Sequence, residues 1–304
     1  MRFIASSSYL PNKIIDNKKI AQKLGITESF IEQRTGIKQR YFVEDETIEE
    51  MALKATQKLI QKSEIDVSQI DLIITATTST DRLMPGISNY VQKQLGIEKC
   101  ICLDILAGCG GYVQAVDIAK MYMDSGKVKK AIVIGVDILS KFTDDSDVNT
   151  AIILGDGTGA TLYEYSNCEY YSNVESIPDN KNILACTSNS KIKMDGLAIY
   201  KYAVTETVKN VKLLLNDANV CIKDVKYIVP HQSNLKIMLA IANRLGIEKE
   251  KIFTNIDSVG NTFCASIPIV LEEMQDKSLL NEGDKIILLG YGAGLNTSCI
   301  LMEI

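Results

Sequence analysis

Three residues of this 304-residue chain have the types and settings of reactive groups. They are Cys109 within Ala107-Gly108-Cys109-Gly110-Gly111, His231 within Pro230-His231-Gln232-Ser233-Asn234, and Asn261 within Gly260-Asn261-Thr262. Ile101 to Leu106 reads as a buried strand. After it, Tyr112, Val116, Ala119 and Met123 recur at helical spacing, with Gln114, Asp117, Lys120 and Asp124 on the opposite stripe. Cys109 thus falls where a strand gives way to a helix N-terminus. The helix dipole and free backbone N–H groups there favour a thiolate over a thiol. The flanking glycines leave room for a substrate beside the sulfur. Most free cysteines are small buried hydrophobes; the strand–turn–helix setting singles this one out. His231 is the only histidine. Alone, it reads as a satisfied structural imidazole, and Asn261 as a turn residue. Together the three describe acyl chemistry. A thiolate takes an acyl group, and an imidazole N–H and a carboxamide N–H stabilise a developing oxyanion or enolate.

The elements that must position these residues follow in order. Asp16 or Asn17 caps a short helix through Leu24, and Thr27 opens another over 28–33. Arg34, Lys38 and Arg40 then crowd one loop, which is either a solvated charged turn or an anion-binding surface. Thr47 and Glu50 form a capping box. Strands are expected over 70–76, 131–136, 225–229, 251–255, 286–289 and 297–302. The glycine-rich stretch 152–163 lacks the ending of a phosphate loop and reads as a structural strand or turn. Residues 166–196 are polar and irregular, in the manner of a lid.

The chain also repeats itself. Leu95-Gly96-Ile97-Glu98-Lys99 recurs at 245–249, Asp71-Leu72-Ile73-Ile74 answers Lys226-Tyr227-Ile228-Val229, and Gly155–Gly159 answers Gly290–Gly294. Two duplicated α/β halves, 1–165 and 166–304, packed as one layered domain, are expected. Their pseudo-twofold would bring the ends of the strands before Cys109, His231 and Asn261 together, where open α/β sheets bind ligands.

Composition narrows the function classes. A net charge of −5 argues against nucleic acid as the main partner. Eight cysteines without a CxxC pair, and one histidine, give poor support to a zinc site. Free thiols point to a reducing cytoplasm. No segment reads as a membrane span or a signal-peptide core.

At the Cys109 loop, Pro230–Asn234 and Gly260–Thr262 the sequence resembles the thiolase superfamily, and most closely its β-ketoacyl-acyl-carrier-protein synthase III (ketosynthase III) family. Arg34-Thr35-Gly36-Ile37, Thr77-Thr78-Ser79, Leu154-Gly155-Asp156-Gly157 and the terminal glycine strand extend the match along nearly the whole chain. The resemblance implies a five-layered αβαβα fold from two βαβαβαββ halves, a homodimer, and a reaction without a cofactor. An acyl-CoA or acyl-ACP would acylate Cys109. Decarboxylation of malonyl-ACP would then give an enolate, held by His231 and Asn261, that attacks the acyl thioester. The backbone amides of Cys109 and Ala293 would form the oxyanion hole. Arg34, Phe30 and Gly196 would contact substrate or CoA, Lys236 and Arg244 the acyl carrier protein, and Met84 would close the acyl pocket across the dimer.

The chain departs from the family's housekeeping members. Phe30 stands where the family has a tryptophan, Val148 where it often has an arginine, and the chain has no Trp at all. These departures imply a paralogue from a specialised pathway that loads its acyl group from another thioester. The alternative is acyl transfer or condensation in secondary metabolism onto a different acceptor, without malonyl-ACP decarboxylation. Thr78 in place of a carboxylate argues against a hydroxymethylglutaryl-CoA synthase. Asn261 favours carbon–carbon bond formation over simple transfer. Cys, His and Asn also occur in that order in papain-like hydrolases, but the duplication opposes that reading. A scaffold subunit would be expected to have lost one of the three.

Overall fold

The computed structural model describes residues 1–80 and 82–304. Two sheets organise it. The first has the order Arg2–Tyr9, Gly157–Glu164, Lys130–Asp137, Leu72–Ala76, Ile101–Ile105. Its first two pairings are antiparallel and its last two parallel. The second has the order Tyr170–Ser176, Asn296–Glu303, Lys285–Gly292, Tyr227–Pro230, with the same sequence of strand senses. Its fifth place holds no strand. The expected strand over 251–255 shrinks to one parallel bridge from Ile228 to Ile252, because Lys249–Lys251 curls into a 3-10 turn.

The repeated pentapeptide is a helix stop. Gly96 and Gly246 both have φ +69°. Each closes its helix in the left-handed conformation that glycine adopts freely, and the next isoleucine N–H caps a carbonyl of the last turn. The pairing of Gly155–Gly159 with Gly290–Gly294 is one strand out of step. Gly290 and Gly292 end the strand that answers Lys130–Asp137, whereas Gly157 and Gly159 begin the one that answers Asn296–Glu303.

Helices make three further layers. Ile48–Ser63 and Ile87–Leu95 cover the outer face of the first sheet, and Gly196–Ala218 and Leu235–Leu245 that of the second. Gly111–Asp124 and Ser266–Asp276 lie between the sheets. That placement corrects the amphipathic reading of the Gly111–Asp124 helix. Its supposed polar stripe is covered in part: Asp117 is buried and accepts a 3.0 Å hydrogen bond from the Tyr170 hydroxyl, while Asp124 in the last turn stays exposed. The Ile101–Ile105 strand is half-buried instead of buried, because it forms the open edge of its sheet. The polar excursion is also more ordered than a lid. Tyr170–Ser176 pairs with the Asn296–Glu303 strand, and only the Leu184–Ala185/Lys193–Met194 hairpin remains over the site. The Asp16, Thr27 and Thr47 caps form as expected. Among the described residues no helix is long and apolar enough to cross a membrane.

Candidate active site

Cys109 lies on a 3-10 turn, Gly108–Gly110, that runs straight into the Gly111–Asp124 helix. It is buried. The surrounding glycines serve the protein's own backbone, not an incoming substrate. A Cβ on Gly108 would lie 2.8 Å from the Ala293 carbonyl oxygen, and one on Gly110 2.5 Å from Asn296 Oδ1. One on Gly292 would lie 2.8 Å from Cys109 Cβ. The missing side chains let the terminal strand pair press against the nucleophile turn, which brings the Ala293 amide to the sulfur.

The expected resting thiolate is also corrected. Burial, and then the buried Asp137 carboxylate, push the Cys109 thiol up; the N–H groups of Ala293 and of Cys109 itself pull the other way and lose. Asp137 sits at the end of its strand and gathers the hydroxyl-rich loop. It accepts from the Thr78 amide at 2.7 Å, from the Ser79 hydroxyl at 2.9 Å and from the Cys264 amide at 3.0 Å.

His231 ends the Tyr227–Pro230 strand, its N–H donating to Leu289 at 2.8 Å. Its Nδ1 stands 2.8 Å from Ser266 Oγ, which leaves Nε2 for the cavity. The Ser266 hydroxyl has one proton: while it donates to the Phe263 carbonyl at 2.8 Å, Oγ accepts from Nδ1–H and Nε2 is bare, and if it turns to donate to Nδ1 the proton sits on Nε2. Tyr291 and Phe263 meet the ring edge-on, with centroids 5.4 and 6.4 Å away. Burial lowers the imidazole pKa to about 3, against a smaller opposing effect of the Phe263 carbonyl. At neutral pH the site therefore pairs a thiol with a neutral imidazole.

Asn261 is held by its backbone. It bridges Leu154, donates to Ile153 at 3.0 Å and accepts from Gly155 at 2.9 Å. The Phe263 N–H holds its Oδ1 at 3.1 Å, and Nδ2 makes a long 3.4 Å contact to the Ser233 carbonyl. Behind it runs the stem of Arg40, wholly buried; a Cβ on Gly260 would lie 2.9 Å from Arg40 Cβ. Arg40 of the cationic loop is thus structural, donating to Asn17 Oδ1 at 2.9 Å and to the Ile152 carbonyl at 2.6 Å.

Cys109, His231 and Asn261 line one cavity of about 80 Å³. A second, of about 260 Å³, opens on the other side of Cys109 and is walled by Thr78, Leu139, Phe142, Cys186 and Ile192. Gly196 begins its helix and borders the smaller cavity. Arg34, Phe30, Lys236, Arg244 and Met84 line neither. The Arg34 guanidinium lies 5.7 Å from the Phe30 ring centroid. Lys236 and Arg244 are exposed at the two ends of the Leu235–Leu245 helix, Arg244 donating to the Val204 carbonyl at 3.1 Å. Met84 is 81% exposed beside Leu83 at 92%. Sequence reasoning missed Asp137, Leu184, Phe263 and Ser266. The motif following Asn261 could have flagged Phe263 and Ser266; nothing local marks Leu184.

The family model for 3-oxoacyl-[acyl-carrier-protein (ACP)] synthase III matches residues 103–177, and that for its C terminal matches residues 215–304. The chain is 33% identical to the β-ketoacyl-[acyl-carrier-protein] synthase III of Clostridium acetobutylicum, over 100% of this chain and 98% of that one. This chain belongs to the ketosynthase III family. The Clostridium tetani ketosynthase III is 36% identical over the same shares of the two chains, 100% and 98%. The crystal structure of 3-oxoacyl-[acyl-carrier-protein] synthase III from Aquifex aeolicus VF5 superposes with a TM-score of 0.96 at 32% identity, covering 100% of this chain and 99% of that one. The priming β-ketosynthase of the R1128 polyketide pathway gives 0.92 at 26% identity, covering 99% and 96%. The five layers described above are thus the thiolase-like fold of ketosynthase III, as the motifs implied.

Proposed function

We propose that this ketosynthase III is an acyltransferase catalysing decarboxylative Claisen condensation. An acyl thioester, carried on CoA or on an acyl carrier protein, is attacked by Cys109. His231, neutral at rest, takes the thiol proton and returns it to the departing thiolate. Malonyl-ACP then enters. Its carboxylate leaves as carbon dioxide, and the enolate oxygen is held by His231 and by Asn261 Nδ2. The enolate carbon attacks the acyl-cysteine carbonyl, whose oxyanion is held by the amides of Cys109 and Ala293, and Cys109 departs as a thiolate that takes up one proton from solvent to restore the thiol. The product is a β-ketoacyl-ACP. The observation that carries this reading is the convergence on one small cavity of Cys109 and His231, which follow two strands, and Asn261, which follows the Ile256–Val259 helix.

The surrounding assignments belong to the same proposal. Arg34, Phe30 and Gly196 flank the approach of the carried thioester, and Lys236 and Arg244 meet the acidic carrier protein. Two copies pair through the open Ile101–Ile105 edge. Exposed Leu83, Met84 and Leu106 surround that edge, which a lone chain would leave unpaired. Met84 of one copy would close the acyl cavity of the other. The halves divide at 1–165 and 166–304, the protein works in the cytoplasm, and no cofactor takes part.

Intact-protein mass spectrometry with a panel of acyl-CoAs and acyl-ACPs tests the reading. An adduct on wild type but not on Cys109→Ala, discharged to malonyl-ACP with release of carbon dioxide, is the expected result. Absence of any adduct while Cys109 still reacts with an alkylating agent would overturn it.

A further inference from the structure

The two cavities that meet at Cys109 share only three lining residues: Cys109 itself, Leu184 and Phe263. The larger cavity is walled almost wholly by apolar side chains, with Thr78 and Cys186 as its polar exceptions besides the nucleophile. The smaller is also lined mostly by apolar side chains, Ile153, Leu154, Ile199 and Ile237 among them, and differs in holding the reactive partners His231 and Asn261 with Ser233. Phe263 stands between these environments in an unusual backbone state. Its φ is +46°, a left-handed conformation that bulky residues rarely adopt. Neighbouring bonds hold it there. Its N–H donates to Asn261 Oδ1 at 3.1 Å, and its carbonyl accepts from the Ser266 hydroxyl at 2.8 Å. Its ring meets His231 at an interplanar angle of 73°. A backbone outlier fastened to both reactive partners points to a role in the site.

We infer that Phe263, with Leu184 opposite, is the partition that limits the length of the acyl chain this enzyme loads. The inference rests on the acyltransferase reading and deepens it. An acyl group on Cys109 places its tail in the apolar cavity, while the reacting carbonyl stays at the junction. The tail is kept out of the smaller cavity by the Phe263 ring and Leu184, which line both spaces. That separation keeps His231 and Asn261 free for the second substrate. A dry apolar cavity of about 150 Å³ holds benzene. On that scale the 260 Å³ here sets an upper bound of roughly ten carbons. The tail that fits this cavity is therefore a short, mainly apolar chain.

The test is the chain-length profile of Cys109 acylation, as kcat/KM, with saturated acyl-CoAs and acyl-ACPs from two to twelve carbons. Wild type, Phe263→Ala, Phe263→Leu and Phe263→Gly are compared, with thermal melting and Cys109 alkylation as controls of fold and nucleophile. Wild type should fall off sharply before twelve carbons. Phe263→Ala should raise the twelve-carbon rate about ten-fold or more relative to the four-carbon rate. Phe263→Leu, which keeps an apolar blocking side chain, should stay near the wild-type profile. Phe263→Gly removes the ring where glycine adopts the required φ without strain, so it reports the same shift if the alanine variant folds poorly. A Phe263→Ala or Phe263→Gly profile that drops uniformly at every length, or does not change, would overturn the partition alone. A wild type that accepts no thioester while Cys109 alkylates normally would overturn the acyltransferase reading, and the partition with it.

Discussion

The two halves of the molecule end their strands in the same places and use those ends differently. After Leu72–Ala76 the first half has Thr77, Thr78 and Ser79, tied to Asp137. At the answering position, after Tyr227–Pro230, the second half has His231, tied to Ser266. After Ile101–Ile105 comes the nucleophile; after the bridge at Ile252 comes Asn261. After Lys130–Asp137 comes a buried anion's network; after Lys285–Gly292 comes the Ala293 amide. Matched strand ends in the two halves thus carry unlike side chains. The electrostatics are equally unequal. The first half surrounds a carboxylate with hydroxyls and amides, and that carboxylate opposes ionisation of Cys109. The second half buries a neutral base.

The sharpest way to break this division of labour is to remove one role at a time. Cys109→Ala should lose all acyl adduct. Asn261→Ala should still accept acyl groups but slow condensation by about 10²–10³-fold, whereas His231→Ala should slow both half-reactions, by about 10²–10⁴-fold, because it also takes the thiol proton. Single-turnover transfer from pre-acylated protein to malonyl-ACP separates the two half-reactions. Equal loss in both halves for Asn261→Ala would contradict the assignment.

Asp137→Asn tests the electrostatic half of the comparison. The amide cannot accept every hydrogen bond the carboxylate now takes, so stability should fall by about 1–3 kcal/mol in urea titration. At the same time the thiol should ionise more readily, because an anion beside it has gone. Alkylation rates of Cys109 against pH should shift to lower pH. An unmoved profile would mean that burial alone sets the thiol.

The neutral base has its own signature. His231 has a folded pKa of about 3 against an ordinary 6.5, so the unfolded chain binds the extra proton between those values. Stability from this group is complete above pH 6.5 and is lost as pH falls toward 3, by at most about 1.4 kcal/mol per pH unit. The urea midpoint of wild type should therefore fall more steeply between pH 7 and pH 4.5 than that of His231→Gln. Parallel slopes would contradict a buried neutral imidazole. The smallest expected effect is at the surface. Lys236→Ala should raise KM for malonyl-ACP a few-fold, more at low salt than at high, with acylation from acyl-CoA unchanged.

Most of the frame was legible in the residues. Cysteine, histidine and asparagine stood out through their neighbours. The alternating capping signals and the repeated Leu-Gly-Ile-Glu-Lys stop marked helices correctly, since such signals act over one turn. Readings failed where the cause was distant in the chain. The glycines around Cys109 read locally as space for a substrate; they are space for Ala293, Tyr291 and Asn296, which lie more than 180 residues away. Asp117 was assigned to a solvent stripe, but its helix lies between two sheets. Residues 251–255 had a strand's apolar content and too little partner edge to become one.

Local structure was therefore written in the sequence by itself: where helices begin and stop, and that one half answers the other. Ionisation and access were decided only by the tertiary structure. The charge on Cys109 depends on a carboxylate from a different strand and on how much water remains around the sulfur. Whether a tail and a second substrate share one space depends on Phe263 and Leu184, brought together across 79 positions of chain. Desolvation and cavity shape are properties of packed neighbours, and those neighbours exist only once the sheets have closed on the helices between them.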